Sequence, residues 1–442
     1  MNVRELACQS LFTVCQDKGY SNIVVSHTLQ KYKLVDRDRR FYTELVYGTL
    51  RHLNYLDWII DAVSTRKIMK LDPICLVILR MGLYQIFCLT KVPESAACNE
   101  SVKLATRFGN KGMAKFVNGI LRNGIRRRME FTIPTLEDNT ILHLSLTYHQ
   151  QQWLIKKWIA DYGTEETIAL CRYFETIPRL CLRANTTKIS RDELLHNLQQ
   201  RNMDAEIAPY APEGIYLNAI PSIHDIPELQ QGLAFIQDES SMLVAHVLDP
   251  KPNEVIFDVC AAPGGKTTHI AALAGDTSIV YGCDIYDHKL QLIEKNANHL
   301  GLSNVRVLLQ DAATIGEMYA NRADRVLVDA PCSGLGVLKR KLDLRWRKKT
   351  MDLKRLPVLQ LTILESASKC VKSGGILVYS TCTMNDDENV HVVETFLKRH
   401  PEFKPEKASD YCSIYKEGPY IQLLPQVDNL DGFFIARLRR GE

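Results

Sequence analysis

The sequence predicts an α/β fold, a doubly wound parallel sheet in the carboxy-terminal half, preceded by an all-α domain and a small α/β module. Three observations lead there. Apolar residues recur at helical spacing up to about residue 128, strand and helix signals mix between 135 and 240, and from Val255 short apolar runs alternate with helical segments. Such alternation builds right-handed βαβ units around buried parallel strands. The expected domains are 1–130, 131–240 and 241–442.

In the first domain the helical pattern is clearest in Phe41, Leu45, Val46, Leu50, Leu53, Leu56, Ile59 and Ile60, and again through Ile74, Val77, Ile78, Met81, Tyr84, Gln85 and Ile86. Gly19, Pro73, Pro93, Gly109, Gly112 and Gly124 read as joints between helices. The middle module opens with helix-like stretches Trp153–Tyr162 and Glu165–Phe174. Strand candidates Leu180–Ala184 and Gly214–Leu217 follow, on either side of a helix Ser190–Gln200 whose Ser190 and Glu193 form a capping box. Pro209, Pro212, Gly214, Pro221 and Pro227 mark its loops.

The third domain offers strands Val255–Val259, Ile279–Asp284, Val305–Asp311, Arg325–Asp329 and Gly375–Ser380, with Ile421–Leu424 and Phe433–Leu438 as a hairpin at the sheet edge. In such sheets ligands gather in the crevice at the carboxyl ends of the strands.

The net charge of +4 hides an asymmetry. Residues 1–128 carry 21 Lys/Arg against 10 Asp/Glu and residues 339–355 nine against two, so the remaining chain is net −14. Two basic regions in an acidic background suit a nucleic-acid partner, although a single charge run is commonly a solvated helix face. The second run is expected to guide an RNA strand by Arg345 and Arg347, with Trp346 stacking on a base. Thirteen cysteines without a C-x-x-C pair exclude zinc-ribbon spacing and a secreted disulfide framework, so no metal site is expected. Met1–Gln9 lacks a signal-peptide pattern and no apolar run spans a bilayer, so a cytoplasmic, monomeric protein without a membrane partner is expected.

The chemistry concentrates at strand ends. After the first strand runs Asp258-Val259-Cys260-Ala261-Ala262-Pro263-Gly264-Gly265-Lys266-Thr267-Thr268. Small residues between a strand and a helix let backbone approach a ligand. A P-loop requires G-x-x-x-x-G-K-[ST], and here Cys260 replaces the first glycine; that reading would make the chain an RNA-acting NTPase. A nucleoside cofactor instead needs a carboxylate at the end of the next strand, which Asp284 supplies, while Asp311 ends the third strand where adenine would lie. Each aspartate alone could be a helix cap; two at successive strand ends favour the cofactor. Strands four and five end in Asp329-Ala330-Pro331-Cys332-Ser333-Gly334-Leu335-Gly336 and Ser380-Thr381-Cys382-Thr383, so Cys332 and Cys382 are expected to meet in the crevice. The other cysteines, Cys260 and Cys283 included, read as packing residues.

The strings VCAAPGGKTTHIA, DIYDHKL, DAPCSGLGVLKRK and GGILVYSTCTMNDDEN resemble, in order and spacing, the motifs of S-adenosylmethionine-dependent RNA cytosine-5 methyltransferases. The amino-terminal MNVRELACQSLFTV, RRFYTELVYGTLRHLNYLDWII and KFVNGILRNGIRR resemble the RNA-binding NusB domain, and Arg183 with Asn185 fits an Arg-x-Asn pattern of the middle module. Together the chain resembles bacterial members of that family acting on small-subunit (16S) rRNA. The resemblance implies a Rossmann-like catalytic domain and S-adenosyl-L-methionine as cofactor. Residues Cys260, Ala261, Ala262, Pro263, Gly264, Gly265 and Lys266 would contact it, with Asp284 at the ribose, Asp311 at the adenine and Asp329 between methyl group and base. It further implies that Cys382 is the nucleophile, that Cys332 assists product release, and that Lys266 touches substrate or Asp329. A NusB-like assembly factor with a vestigial catalytic half is the non-enzymatic alternative.

Overall fold

Helix formation begins at Asn2, whose side chain caps the Glu5 amide while Glu5 returns a bond to the Asn2 amide. A computed structural model describes residues 2–17, 19–218 and 225–442, so Pro221 lies outside the described residues. Two compact units are formed, 1–176 with 338–348, and 177–337 with 349–442.

The first unit is helical. Its central helix, Pro73–Phe87, carries Asp72 as N-cap and Pro73 in the first turn, and it is apolar nearly all round because neighbours cover every face. The periodic residues named above are buried together, except Phe41 and Ile74, which are half-buried at the margin. Pro93 and Gly109 flank the helix Glu94–Phe108 as expected. Gly112 and Gly124, read as joints, instead lie inside the helix Lys111–Arg126, and Gly124 is buried there. A Cβ on Gly124 would meet Leu83 at 3.3 Å, so close helix packing explains that glycine.

The segment 338–348 overturns one expectation. Arg345 is 1% exposed, pairing with Glu175 at 2.8 Å and donating to the Phe174 carbonyl at 2.6 Å. Trp346 donates its indole N–H to the Leu50 carbonyl at 2.6 Å and packs on the helical core. Arg347 bonds the Gly19 carbonyl and faces Asp343. A buried cation needs internal partners, which Arg345 has, and the half-buried Trp346 and Arg347 are each committed to a backbone carbonyl, so these three side chains structure the first unit rather than present themselves to RNA.

In the second unit β1 (Leu180–Ala184), β2 (Ala205–Ile207), β3 (Gly214–Leu217) and β4 (Ala234–Ile236) form an antiparallel sheet in the order β2-β3-β1-β4. Helix Arg191–Gln200 packs on it, opened by the Ser190–Glu193 capping box. The larger sheet comprises β5 (Val255–Asp258), β6 (Ile279–Asp284), β7 (Val305–Leu309), β8 (Ala323–Asp329), β9 (Val371–Thr381), β10 (Phe403–Glu406), β11 (Ile421–Leu423) and β12 (Phe433–Arg440). Its order is β10-β12-β9-β8-β5-β6-β7, with β5 to β9 parallel and β11 paired to β12. The hairpin forms, but β12 lies inside the sheet against β9, because β10 closes the edge. No helix among the described residues is long and apolar enough to cross a membrane.

Candidate active site

Parallel pairing of β8 and β9 sets Asp329 opposite Ser380, so the segments that follow leave the sheet side by side. Cys332 and Cys382 then bring their sulfurs to 3.2 Å, hydrogen-bond distance rather than the ~2.05 Å of a disulfide. Both thiols are half-buried. The contact with Cys382, followed by burial, raises the Cys332 pKa well above that of an ordinary thiol. Cys260 is half-buried against the core and Cys283 fully buried, and burial raises both pKa values. Cys8, Cys75, Cys98, Cys171, Cys181 and Cys370 are buried, and Cys15, Cys88 and Cys412 half-buried.

The loops carrying the two thiols share a buried frame. Glu388, fully buried, accepts the Ser333 amide (2.8 Å) and Gln360 Nε2 (3.0 Å) on one oxygen and Asn385 Nδ2 (3.1 Å) on the other. Gln360 also donates to the Pro331 carbonyl at 3.0 Å. Asn389 accepts from Thr381 at 2.6 Å and donates to the Thr383 carbonyl at 3.1 Å, so it brackets Cys382. Gly336 donates to the Cys382 carbonyl at 3.1 Å and accepts the Gly432 amide at 2.9 Å. A Cβ on Gly336 would sit 2.0 Å from the Gly432 carbonyl oxygen, so only glycine permits this crossing. Gln360, Glu388 and Asn389 were missed as functional candidates; the one signal, for Glu388 and Asn389, is the Asn385–Asn389 run of acids and carboxamides shortly after a strand, and Gln360 inside the helix Thr350–Ser368 has none.

Lys266, in the first turn of helix Gly265–Ala274, reaches across to Asp329 at 2.8 Å, while Ser380 Oγ donates to the other Asp329 oxygen at 2.9 Å. Burial works against the Lys266 ammonium, but the adjacent Asp329 carboxylate outweighs it and raises the pKa. An ammonium committed to a carboxylate does not serve as the phosphate-binding lysine of a P-loop, and the missing first glycine agrees.

Small side chains from Cys260 to Gly265 leave the loop open to a ligand. Gly264 holds φ at +102°, where a Cβ would also press on Ile293 at 3.1 Å, whereas a Cβ on Gly265 would meet nothing nearer than Phe235 at 3.7 Å. The Ala262–Pro263 peptide is cis. Asp284 accepts the Tyr286 amide at 3.1 Å and faces Lys289 at 3.4 Å; Asp311 accepts the Ala313 amide at 2.9 Å. Both aspartates therefore cap local turns, the bland role considered for them, each through one carboxylate oxygen. Two strand-end carboxylates and a small-residue cradle fit a nucleoside-type cofactor.

The antiparallel sheet supports this loop from behind. Arg183, 2% exposed, donates to the Gly265 carbonyl at 2.7 Å, to Thr268 at 3.0 Å, and to Gln237. Asn185 donates to the carbonyls of Gly232 (2.8 Å) and Leu300 (2.9 Å). Arg183 thus couples the small sheet to the first turn of the Lys266 helix, and Asn185 couples it to the end of the helix Asp287–Leu300. Beside it, Glu213 lies 2.6 Å from His269 and 3.0 Å from His246.

Residues 245–439 match the family model described as 16S rRNA methyltransferase RsmB/F, residues 1–126 the NusB family, and residues 150–224 the ferredoxin-like domain of RsmF/B-like methyltransferases. The chain is 39% identical to the probable ribosomal RNA small subunit methyltransferase B of Bacillus subtilis (strain 168), covering 99% of both chains. It is 38% identical to that of Synechocystis sp., covering 100% of both. Among solved structures, the crystal structure of PH0851 superposes with a TM-score of 0.86 at 25% identity, over 100% of this chain and 99% of that one. NSun6 from Pyrococcus horikoshii with SFG gives 0.60 at 25% identity, over 65% of this chain and 98% of that one. With its NusB domain, ferredoxin-like module and Rossmann-like catalytic domain, the chain belongs to the 16S rRNA methyltransferase RsmB/F family, whose methyl donor is S-adenosyl-L-methionine.

Proposed function

We propose that this protein methylates C5 of a cytosine in 16S rRNA through a covalent bond between Cys382 and cytosine C6. The observation that carries the reading is the pair of sulfurs 3.2 Å apart at the ends of β8 and β9, beside the Lys266–Asp329 ion pair. When bound, S-adenosyl-L-methionine supplies an electrophilic methyl group; the Cys260–Lys266 loop, Asp284, Asp311 and Asp329 are the residues that would hold it.

Cytosine C5 is a poor nucleophile. Addition of the Cys382 thiolate to C6 makes C5 enamine-like, so that C5 takes the methyl group; the C5 proton then leaves, and the sulfur–C6 bond breaks with its electron pair returning to Cys382. Asp329, held by Lys266 and Ser380, suits a role accepting from the amino group of the base, with the Lys266 ammonium beside it offsetting the negative charge that reaches the ring when the thiolate adds. Cys332, within hydrogen-bond distance of Cys382, takes the release step that the family resemblance implies. The target base leaves its stack to enter such a crevice.

RNA carrying 5-fluorocytosine, which cannot lose its C5 substituent, should trap the wild-type enzyme covalently and leave Cys382→Ala untrapped. On ordinary RNA, Cys332→Ala should accumulate an adduct. Trapping that survives in Cys382→Ala would sink the nucleophile assignment, and release at the wild-type rate in Cys332→Ala would remove that residue's role.

A further inference from the structure

The helix Lys111–Arg126 exposes Lys111, Lys115, Gly119, Arg122 and Arg126. At about 100° per residue these positions fall within an arc of about 80°, one continuous stripe along the helix. The sequence KGMAKFVNGILRNGIR contains no carboxylate. The neighbouring segment 66–70 adds exposed Arg66, Lys67 and Lys70, and the Arg66 guanidinium lies 5.6 Å over the Phe116 ring of the same helix.

Several other cations of this unit sit against carboxylates, among them Arg80 with Asp57, Lys103 with Glu100, Arg107 with Glu5, Arg127 with Glu130 and Arg128 with Glu94. Along the stripe the supports are neutral, with Asn118 accepting from Arg122 at 3.0 Å and Asn123 from Arg126 at 2.8 Å. Carboxamides fix these guanidinium groups without cancelling their charge. Like charges held together are unfavourable in the isolated protein, which is tolerable where a polyanion offsets them.

Gly119 supplies an independent observation. Glycine in a helix interior costs stability relative to alanine. Packing does not explain it, because a Cβ there would meet nothing within 4 Å. What a bare backbone in the middle of a cationic stripe permits is close approach of a ligand.

We infer that this stripe, with Arg66, Lys67 and Lys70, is a docking surface for the sugar-phosphate backbone of the substrate RNA, seated against the helix at Gly119. RNA is preferred because its charges repeat along its length, as the cations do along the helix. The inference rests on the rRNA substrate argued above.

The test uses the full-length chain without cofactor and a labelled 16S rRNA transcript over a series of KCl concentrations. In the Lys115→Ala/Arg122→Ala/Arg126→Ala variant, affinity at ~0.1 M salt should fall at least about tenfold, and the slope of log K against log[salt] should flatten by about 2, near 0.7 per lost phosphate contact. Gly119→Gln keeps the charge and meets open space, so it should fold, keep the slope and bind more weakly. Lys103→Ala, a paired cation, should change neither. An unchanged slope in the folded triple variant overturns the proposal, as does wild-type affinity in Gly119→Gln. If the triple variant instead loses only binding to phosphatidylglycerol vesicles and retains rRNA, the face serves lipid and the proposal fails. Binding is read without methyl transfer, so this failure is distinct from failure of the Cys382 chemistry.

Discussion

Glu388 takes hydrogen bonds on both carboxylate oxygens, from Ser333 and Gln360 on one and Asn385 on the other. An amide in its place presents one oxygen and one NH2, so at least one buried donor loses its acceptor, a cost of about 1–3 kcal/mol. Glu388→Gln should therefore lower the melting temperature by several degrees. Because the bonds hold the loops of Cys332 and Cys382 and not the cofactor cradle, kcat should fall while affinity for S-adenosyl-L-methionine stays within about twofold. Single-turnover methylation and calorimetric titration read these separately; equal losses in both would mean a general unfolding effect. Legibility at this scale follows chemistry. Cys332, Cys382, Asp329 and Lys266 stand in strand-end motifs whose residue types announce reactivity. Glu388 joins the Cys332 loop to the rest of the frame through long-range bonds to Ser333 and Gln360, 55 and 28 residues away, and one-dimensional spacing does not carry those.

At the scale of elements, the helix that presents Lys266 is gripped from the neighbouring sheet by Arg183 on β1. A planar guanidinium reaches Gln237, the Gly265 carbonyl and Thr268 at once; a lysine ammonium does not reproduce that fork. Arg183→Lys should loosen the first turn of the helix and weaken cofactor affinity by about an order of magnitude, equivalent to ~1.4 kcal/mol, with Asn185 still in place. Isothermal titration at constant temperature checks this, and wild-type affinity would reduce Arg183 to a packing residue. The strands that sequence reading found and those it missed separate by position. β1, β3, β5, β6, β8 and β9 lie inside their sheets and read as apolar runs, while β2, β4 and β10 occupy sheet edges and span three or four residues. An edge strand needs to satisfy one neighbour only, so its pattern is short; β10 even tolerates Pro405. β7, also an edge, was legible because Val305–Leu309 is longer and mostly aliphatic, and the three-residue β11, paired only to β12, was legible because a turn-rich stretch joins it to the apolar run at Phe433. The basic run 339–355 misled for the converse reason: charge count does not reveal that Arg345 is internally paired.

For the molecule as a whole, two buried titrating groups in the same unit give opposite pH dependences. Burial lowers the His269 pKa to about 4, with Glu213 opposing and Arg183 and His246 reinforcing the shift. Its folded pKa lies below its unfolded value near 6.5, so its contribution is complete above pH ~6.5 and is lost as pH falls toward 4, at most about 3 kcal/mol. Burial raises Asp258 to about 7, although Thr267 donates to it and Lys266 lies near; Asp329 adds to the rise. A carboxyl raised from about 3.8 contributes fully below that pH, and the contribution is lost as pH rises through 7, at most about 4 kcal/mol. Between pH 4 and 6.5 the two slopes oppose and are similar in size, so wild-type stability should vary little from these groups. Substitution separates them. Asp258→Asn keeps an acceptor for Thr267 and removes the titration, so the unit should gain stability at pH 8 and lose it steeply from pH 6.5 to 4.5. His269→Gln should do the reverse, becoming relatively more stable toward acid. Scanning calorimetry of the apoprotein from pH 4.5 to 8 measures both, and an Asp258→Asn profile parallel to wild type would show that Asp258 titrates normally in the folded protein.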